Sequence, residues 1–264
     1  MDLNLEGKSA FVCGSTQGIG YAAAVELAEL GASITFCARN EAKLKDVVAE
    51  FSSRYSNRSF NYVAADFGFP DQLEKALKEH LAQHASPYHI LINNTGGPAG
   101  GPAHSAGIDE YRQAFNAHLI CNQILVQHLL PGMKSAGYGR VVNVISTSVK
   151  QPLNNLGVSN TVRGAVANWS KTLANELGQF NITVNNVLPG ATETARLSSI
   201  LENKSAKLGV SIDEAAAQMT AAVPMKRFAK PEEVAAAIAF LCSPAAGYIN
   251  GINVPVDGGR TGSL

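Results

Sequence analysis

The sequence lacks an excess of either charge. Lysine plus arginine and aspartate plus glutamate number 21 each, so no net field attracts nucleic acid or an acidic membrane surface. We therefore expect no nucleic-acid partner. Charged residues make up only 16% of the chain, below the roughly 25% of ordinary soluble domains. This deficit predicts that part of the surface is covered by another subunit.

Long apolar runs and paired cysteines are also missing. No run reaches the roughly 18 apolar residues that a membrane helix needs, and the start, MDLNLEGK, lacks the apolar core of a signal peptide. The four cysteines are not spaced as metal ligands, and we expect them to be small buried hydrophobes in a reducing compartment. These absences predict a cytoplasmic protein with no membrane partner and no metal site.

What is present is a glycine-rich loop between an apolar strand pattern, residues 9–13, and a helix pattern. Gly14 can adopt the positive φ of a tight turn, while Gly18 and Gly20 let the backbone approach a diphosphate closely. Free N–H groups at the start of the helix would then face the anion, where the helix dipole favours negative charge. The loop predicts a dinucleotide site, although a plain tight turn is the alternative.

Strand and helix patterns alternate along the whole chain. Helical spacing of apolar residues separates seven strand-like runs, at residues 9–13, 33–37, 60–64, 89–92, 140–145, 182–187 and 252–256. This order predicts an α/β fold, a doubly wound and mostly parallel seven-stranded sheet (Rossmann fold) with helices on both faces. We expect one domain over residues 1–264, with a helical lid at residues 193–222 and a substrate loop at the Gly/Pro-rich residues 96–102. A plain surface excursion is the alternative for residues 193–222.

With these segments in view, the chain resembles the short-chain dehydrogenase/reductase family over essentially its whole length. The motifs are the glycine loop, residues 93–96 (NNTG), residues 189–194 (PGATET), residues 224–227 (PMKR) and residues 256–259 (VDGG). The resemblance implies an NAD(P)-dependent oxidoreductase that transfers hydride between a nicotinamide and a small carbonyl or alcohol. It also implies cofactor contacts from Gly14, Ser15, Thr16, Gln17, Gly18, Ile19, Gly20, Asp66, Phe67, Asn93, Thr95, Gly96, Arg163, Pro189, Gly190, Thr192 and Thr194.

The chain departs from the family at the catalytic positions. Asn116 and Ser146 stand where the family has its asparagine and serine, but Ser159 and Arg163 stand where it has tyrosine and lysine. A serine hydroxyl is a far weaker acid than a phenol of pKa about 10, and an arginine does not release a proton readily. We expect these four residues to carry slow catalysis. The alternative is a weak or inactive NADP(H)-binding subunit with a regulatory or partner-stabilising role.

Two histidines are candidates for the missing acid. His104 follows the Gly/Pro-rich loop and could titrate near neutrality, although a solvated loop histidine is the simpler interpretation. His118 lies two residues beyond Asn116 on one helix pattern, so we expect it to point elsewhere and to serve packing or an interface.

Residues 37–40 (CARN), at the end of the second strand pattern, contain no carboxylate. A carboxylate there normally accepts the ribose hydroxyls of NAD, whereas Arg39 can pair with a 2′-phosphate. We predict NADP(H) as the preferred cofactor, with NAD(H) possible. The family resemblance further implies a homodimer or homotetramer, built on the helices that carry Asn116 and Trp169.

Overall fold

The computed structural model describes residues 1–84 and 86–263. Its centre is a seven-stranded sheet in the order β3-β2-β1-β4-β5-β6-β7, in which all pairs are parallel. The predicted doubly wound sheet is confirmed, and the predicted strand boundaries move by at most two residues. The strands are β1 Ser9–Cys13, β2 Ser33–Ala38, β3 Phe60–Ala64, β4 Ile90–Asn93, β5 Gly139–Val144, β6 Ile182–Pro189 and β7 Asn253–Val256.

Helices cover both faces of the sheet because successive strand residues point to opposite sides. One core packs α1, α2 and α9 against one face, and a second core packs α3, α5 and α6 against the other. The helices are α1 Gly18–Glu29, α2 Glu41–Arg54, α3 Pro70–Gln83, α4 Ile108–Phe115, α5 Cys121–Ala136, α6 Gly157–Leu177, α7 Ala195–Leu208, α8 Ile212–Ala221 and α9 Pro231–Cys242.

The strand order reverses between β1 and β4, which lie side by side at the middle of the sheet. Chain connections leave these two strands in opposite directions, so a crevice opens beyond their carboxyl ends. The glycine loop follows β1 and the loop of residues 96–102 follows β4. Both therefore lie at this crevice, which is where ligands bind in sheets of this kind.

An asparagine ladder crosses the second half of the sheet. Asn93 donates to Asn143 at 2.8 Å, Asn143 to Asn186 at 2.9 Å, and Asn186 to Asn253 at 2.8 Å. These side chains occupy paired positions on β4, β5, β6 and β7, on the face that packs against α6. Each amide supplies both a donor and an acceptor, so each rung bonds to the next, and of the buried side-chain atoms in the row only the Oδ1 of Asn93, at the β4 end, has no partner among the described residues.

Residues 193–222 contain α7 and α8, which pack against each other around Leu197, Leu201 and Ala215. Serine and threonine side chains start both helices: Thr194 caps α7 and Ser211 caps α8. The four cysteines are buried and free, as expected for small core residues. In the described part of the chain, no helix has both the length and the apolarity to cross a membrane.

Candidate active site

The glycine loop between β1 and α1 is too tight for side chains at two positions. Gly14 has a φ of +59°, and a Cβ added there would lie 2.6 Å from Asn94 Nδ2. A Cβ on Gly20 would lie 2.3 Å from the carbonyl oxygen of Gly14. Glycine is therefore required at both positions for the loop to fold back onto the helix.

Neighbouring strands hold the loop from both sides. Ser15 is fully buried, and its hydroxyl accepts a hydrogen bond of 3.0 Å from the backbone N–H of Cys37 on β2. Asn94, just after β4, donates to the carbonyl oxygens of Cys13 and Gly14. Because the Ser15 hydroxyl faces the sheet, only the backbone of this residue can meet a ligand.

The start of α1 offers backbone donors to an anion. Gln17 precedes the helix without capping it through its side chain, whereas Asn40 caps α2 by accepting from Lys43. Uncapped N–H groups in a glycine cradle, at the positive end of the helix dipole, suit a diphosphate. The residues of this loop thus fit a dinucleotide.

Residues 189–194 lie against the same loop. A Cβ on Gly18 would lie 3.1 Å from the Cγ2 methyl of Thr194, and Gly190 packs closely on Asp257. The Thr194 hydroxyl accepts from the N–H of Leu197 at 3.4 Å. These contacts bring residues 189–194, which the family resemblance implies contact the nicotinamide part of the cofactor, onto the loop expected to hold the diphosphate.

The expected adenine end lies beyond β2 and β3. Asp66 Oδ1 accepts the backbone N–H of Gly68 at 2.8 Å, which fixes the turn after β3, and Phe67 is buried beneath it. Arg39 follows β2, is exposed, and takes part in no ion pair within residues 1–84 and 86–263. Its guanidinium is therefore available to a ligand.

Ser146 and Asn116 come from different elements. Ser146 follows β5, and its half-buried hydroxyl accepts the N–H of Ser148 at 3.1 Å, so one lone pair and its proton are left over. Asn116 begins a π-helical turn, residues 116–120, between α4 and α5, where its carbonyl oxygen accepts from Cys121. Such turns are frequent at functional sites.

Arg163 and Ser159 share the buried face of α6, one turn apart. Arg163 Nη1 donates to the carbonyl oxygens of Val144 and Ile145 at 3.1 and 2.8 Å, so the guanidinium holds the carboxyl end of β5. Burial, reinforced by the positive charge of Arg196, lowers the pKa of Arg163 to about 10. The guanidinium still carries its proton at neutral pH.

His118 is buried, as expected of a packing residue. Its imidazole lies near the backbone of Gly96 and within the field of Arg163, and both act on its pKa. A regular α-helix would turn His118 away from the site, whereas the π turn adds one residue and rotates the side chains that follow. Burial first, and then the charge of Arg163, lower its pKa to about 3. The imidazole is therefore neutral at physiological pH.

The other histidine candidate is far less constrained. His104 lies in a short 3-10 turn after the Gly/Pro-rich loop, and it is exposed. Its placement agrees with the simpler interpretation, a solvated loop residue.

Comparison with known proteins identifies the family. A family model described as Enoyl-(Acyl carrier protein) reductase matches residues 14–261. The chain belongs to the short-chain dehydrogenase/reductase family. The family resemblance read from the motifs is thereby confirmed.

Individual relatives cover the chain nearly end to end. The NADPH-dependent reductase BacG of Bacillus subtilis is 30% identical over 97% of this chain and 99% of its own. A tropinone reductase homologue of Arabidopsis thaliana is 31% identical, over 98% and 94%. The crystal structure of L-sorbose reductase from Gluconobacter frateurii, complexed with NADPH and L-sorbose, superposes with a TM-score of 0.93 at 30% identity, over 100% of both chains.

Proposed function

We propose that this chain is an NADP(H)-dependent oxidoreductase acting on a carbonyl or its corresponding alcohol. The observation that carries the proposal is the closure of Thr194 over Gly18, which brings the nicotinamide-side segment onto the glycine cradle. Ser146 and Arg163 lie at the same carboxyl edge of the sheet. When bound, the cofactor supplies the hydride, and this chain supplies binding, orientation and the route for the proton.

Cofactor choice rests on the end of β2. Arg39 is exposed and unpaired by any described carboxylate, so its planar fork can take a 2′-phosphate bidentately. No acidic side chain in residues 37–40 repels that phosphate. NADP(H) is accordingly the preferred cofactor, and NAD(H) binds more weakly. The NADPH-dependent relatives support this choice.

Proton delivery takes an unusual route in this proposal. Ser146 donates its hydroxyl proton to the substrate oxygen and so holds the carbonyl. Asn116 orders a water, and Ser159 relays a proton between that water and the substrate. Arg163 fixes β5 just before Ser146, and its remaining donors would be available to the ribose hydroxyls of the bound cofactor. Because Ser159 stands where the family has its tyrosine, turnover is slower by part of the 10²–10⁴-fold range typical of a general acid.

Two further features belong to the same proposal. The helices α7 and α8 act as a lid, since Arg196 at the start of α7 donates to the carbonyl oxygen of Pro98 in the loop after β4.

The chain forms a homodimer or homotetramer through α5 and α6. Light scattering that returns the mass of one chain at micromolar concentration contradicts the oligomer. The cytoplasmic location stays a prediction.

A panel of carbonyls and alcohols followed at the nicotinamide absorbance tests the function. We expect slow, NADP(H)-dependent turnover by the wild-type chain. The double variant Ser159→Tyr with Arg163→Lys should be faster, provided that the phenol fits beside Ser146. If both proteins bind NADPH tightly and neither turns over, the regulatory alternative replaces the enzyme. That alternative has no support from the relatives, which are named as reductases.

A further inference from the structure

The loop of residues 96–98, just after β4, is met by three basic side chains from three different elements. His118 of the π turn lies beside the backbone of Gly96, the first residue of this loop, which acts on the pKa of its imidazole. Arg163 of α6 faces Gly97, the second residue of the loop, where an added Cβ would lie 3.4 Å from Arg163 Nη2. Arg196 of α7 donates from Nη2 to the carbonyl oxygen of Pro98 at 2.8 Å. We call these three side chains the basic cluster.

The basic cluster has no counter-charge. Within residues 1–84 and 86–263, neither Arg163 nor Arg196 lies within 4.0 Å of a carboxylate. Buried charges in proteins are normally paired, because removing a charge from water is costly unless a partner offsets it. Arg163 is only 8% exposed and is met by backbone carbonyls alone. The cluster therefore holds an unbalanced positive potential beside the site.

The charges also act on one another. Beyond the effect of burial, Arg196 lowers the pKa of Arg163, which is the direction that repulsion between two guanidinium charges requires, while the charge of Arg163 helps to keep His118 neutral. An anion placed among these groups relieves that repulsion and strengthens each contact.

The cluster borders the position proposed for the substrate carbonyl. Arg163 holds the carbonyl oxygen of Ile145, the residue before Ser146, while Arg196 lies two residues beyond Thr194 and bonds to the loop after β4. We propose that Arg196, backed by the charge of Arg163, binds a carboxylate that the substrate carries close to its reacting carbonyl. This inference rests on the proposed function and names its substrate class, an oxo acid or hydroxy acid.

The shape of Arg196 suits this role. Its side chain is exposed, and its one described hydrogen bond is the one that Nη2 donates to the carbonyl oxygen of Pro98. A guanidinium has five N–H donors, so enough remain for a two-pronged bond to a carboxylate. Cofactor phosphate is the other source of an anion at this edge of the sheet. Arg196 leans on the loop after β4, whereas the diphosphate cradle is the loop after β1, and we therefore assign the substrate.

The first test compares 2-oxobutanoate with its uncharged amide, 2-oxobutanamide, in NADPH oxidation. We expect kcat/KM to favour the acid. The variant Arg196→Gln should lower kcat/KM for the acid about 10- to 100-fold, as expected for loss of a charge-assisted pair, and leave the amide within about threefold. Arg196→Lys should restore part of the loss. Lys207→Gln, which removes an exposed charge from the far end of the same helix, should change neither substrate.

A binding measurement keeps this test independent of turnover. Calorimetry on the NADPH-loaded chain should show oxamate binding at least about tenfold tighter than its neutral ester, ethyl oxamate, and Arg196→Gln should remove the preference. A chain that reduces no carbonyl yet keeps this preference contradicts the proposed function but supports the anion site. Equal affinity for the two probes overturns the anion site. An Arg196→Gln variant that weakens NADPH binding by the same factor as oxamate binding overturns it too, because the anion is then the cofactor phosphate.

Discussion

The two halves of the sheet share apolar cores but differ in the side chains that distinguish their interiors. Around β2 and β3, the rings of Phe36, Phe51 and Phe60 pack edge to face or tilted, with centroids 4.9 to 6.4 Å apart. Across β4 to β7, the asparagine ladder crosses the interior of the sheet, and the buried Arg163 lies at the carboxyl end of β5. Apolar contacts tolerate small shifts in shape, whereas hydrogen-bonded amides require one register.

This difference matches what each half has to do. In the first half, the glycine loop would bind its ligand through backbone groups, and close steric contacts at its glycines are enough to fix its conformation. The second half must aim side chains, Ser146 and Arg163, at a reacting atom. The rungs on β5 and β4, Asn143 and Asn93, lie three residues before Ser146 and directly before Asn94. A fixed register in these strands is therefore transmitted to the side chains that follow them.

The largest effect we expect is the loss of the nucleotide cradle. Gly20→Val places a Cβ against the carbonyl oxygen of Gly14, 2.3 Å away, and should reduce NADPH affinity by more than about 100-fold through displacement of the loop. Gly164→Ala is the control, because a Cβ on Gly164 meets nothing within 4 Å. Fluorescence titration with NADPH measures both. Near-normal affinity in Gly20→Val would show that the cradle is not the binding determinant.

Breaking the ladder at its middle should come next. Asn143→Leu leaves Asn93, Asn186 and Ser170 without their partner. We expect a loss of about 3 kcal/mol in the free energy of unfolding, since each unsatisfied buried polar group costs about 1–3 kcal/mol.

The rim of the ladder supplies the matched comparison. Asn253 is only partly buried and is the last rung, so Asn253→Leu should cost about 1 kcal/mol. Urea unfolding measures both variants. Equal losses at the middle and at the rim would mean that the ladder does not act as a continuous row.

Cofactor selection should respond to the first half alone. Arg39→Ala should weaken NADPH binding about tenfold or more, the value of a charge-assisted pair, and leave NADH binding within about twofold. Calorimetric titration with each cofactor gives the two constants. A wild-type chain that prefers NADH, or an NADPH constant that does not move, would contradict the role of Arg39.

A further effect concerns the loss of stability in acid. Burial and Arg163 lower the folded pKa of His118 to about 3, against 6.5 in the unfolded chain. Above pH 6.5 both states are neutral, and below it the unfolded state takes up a proton that the folded state refuses, so stability falls as the pH drops. From pH 7 to pH 5 this histidine should cost up to about 2 kcal/mol.

The variant His118→Asn isolates that contribution. His80 has a pKa lowered to about 4 by burial and contributes in the same direction, so part of the acid sensitivity should persist in the variant. Thermal unfolding across pH 5 to 7 measures the difference in slope. An unchanged slope in His118→Asn would mean that His118 titrates normally in the folded chain.

The layered fold could be predicted well from the sequence because the spacing of apolar residues and the turn residues between segments are local signals. Alternating strand and helix patterns gave all seven strands, and the buried strands are short apolar runs between turn residues. The ladder was not predicted. Asparagine is a poor strand former, so its presence in three buried strands, as Asn93, Asn143 and Asn186, was the signal that could have revealed it.

The site was predicted less completely because side-chain direction depends on tertiary contacts. The sequence suggested Ser15 as a ligand residue, yet its hydroxyl bonds to β2. Residue spacing alone predicted that His118 points away from the site, because a π turn leaves no clear mark in that spacing. The contact of Arg196 with Pro98 was not predicted either, because it joins residues that are far apart along the chain.

Transfer of the cofactor hydrogen tests the central claim most directly. NADPH carrying deuterium at the transferable C4 position is incubated with the chain and a carbonyl panel that includes 2-oxobutanoate, and the alcohol products are examined by mass spectrometry. The account predicts one deuterium per product molecule, formed slowly by the wild-type chain and lost in Ser146→Ala. Tight binding of NADPH with no deuterium in any product would contradict it.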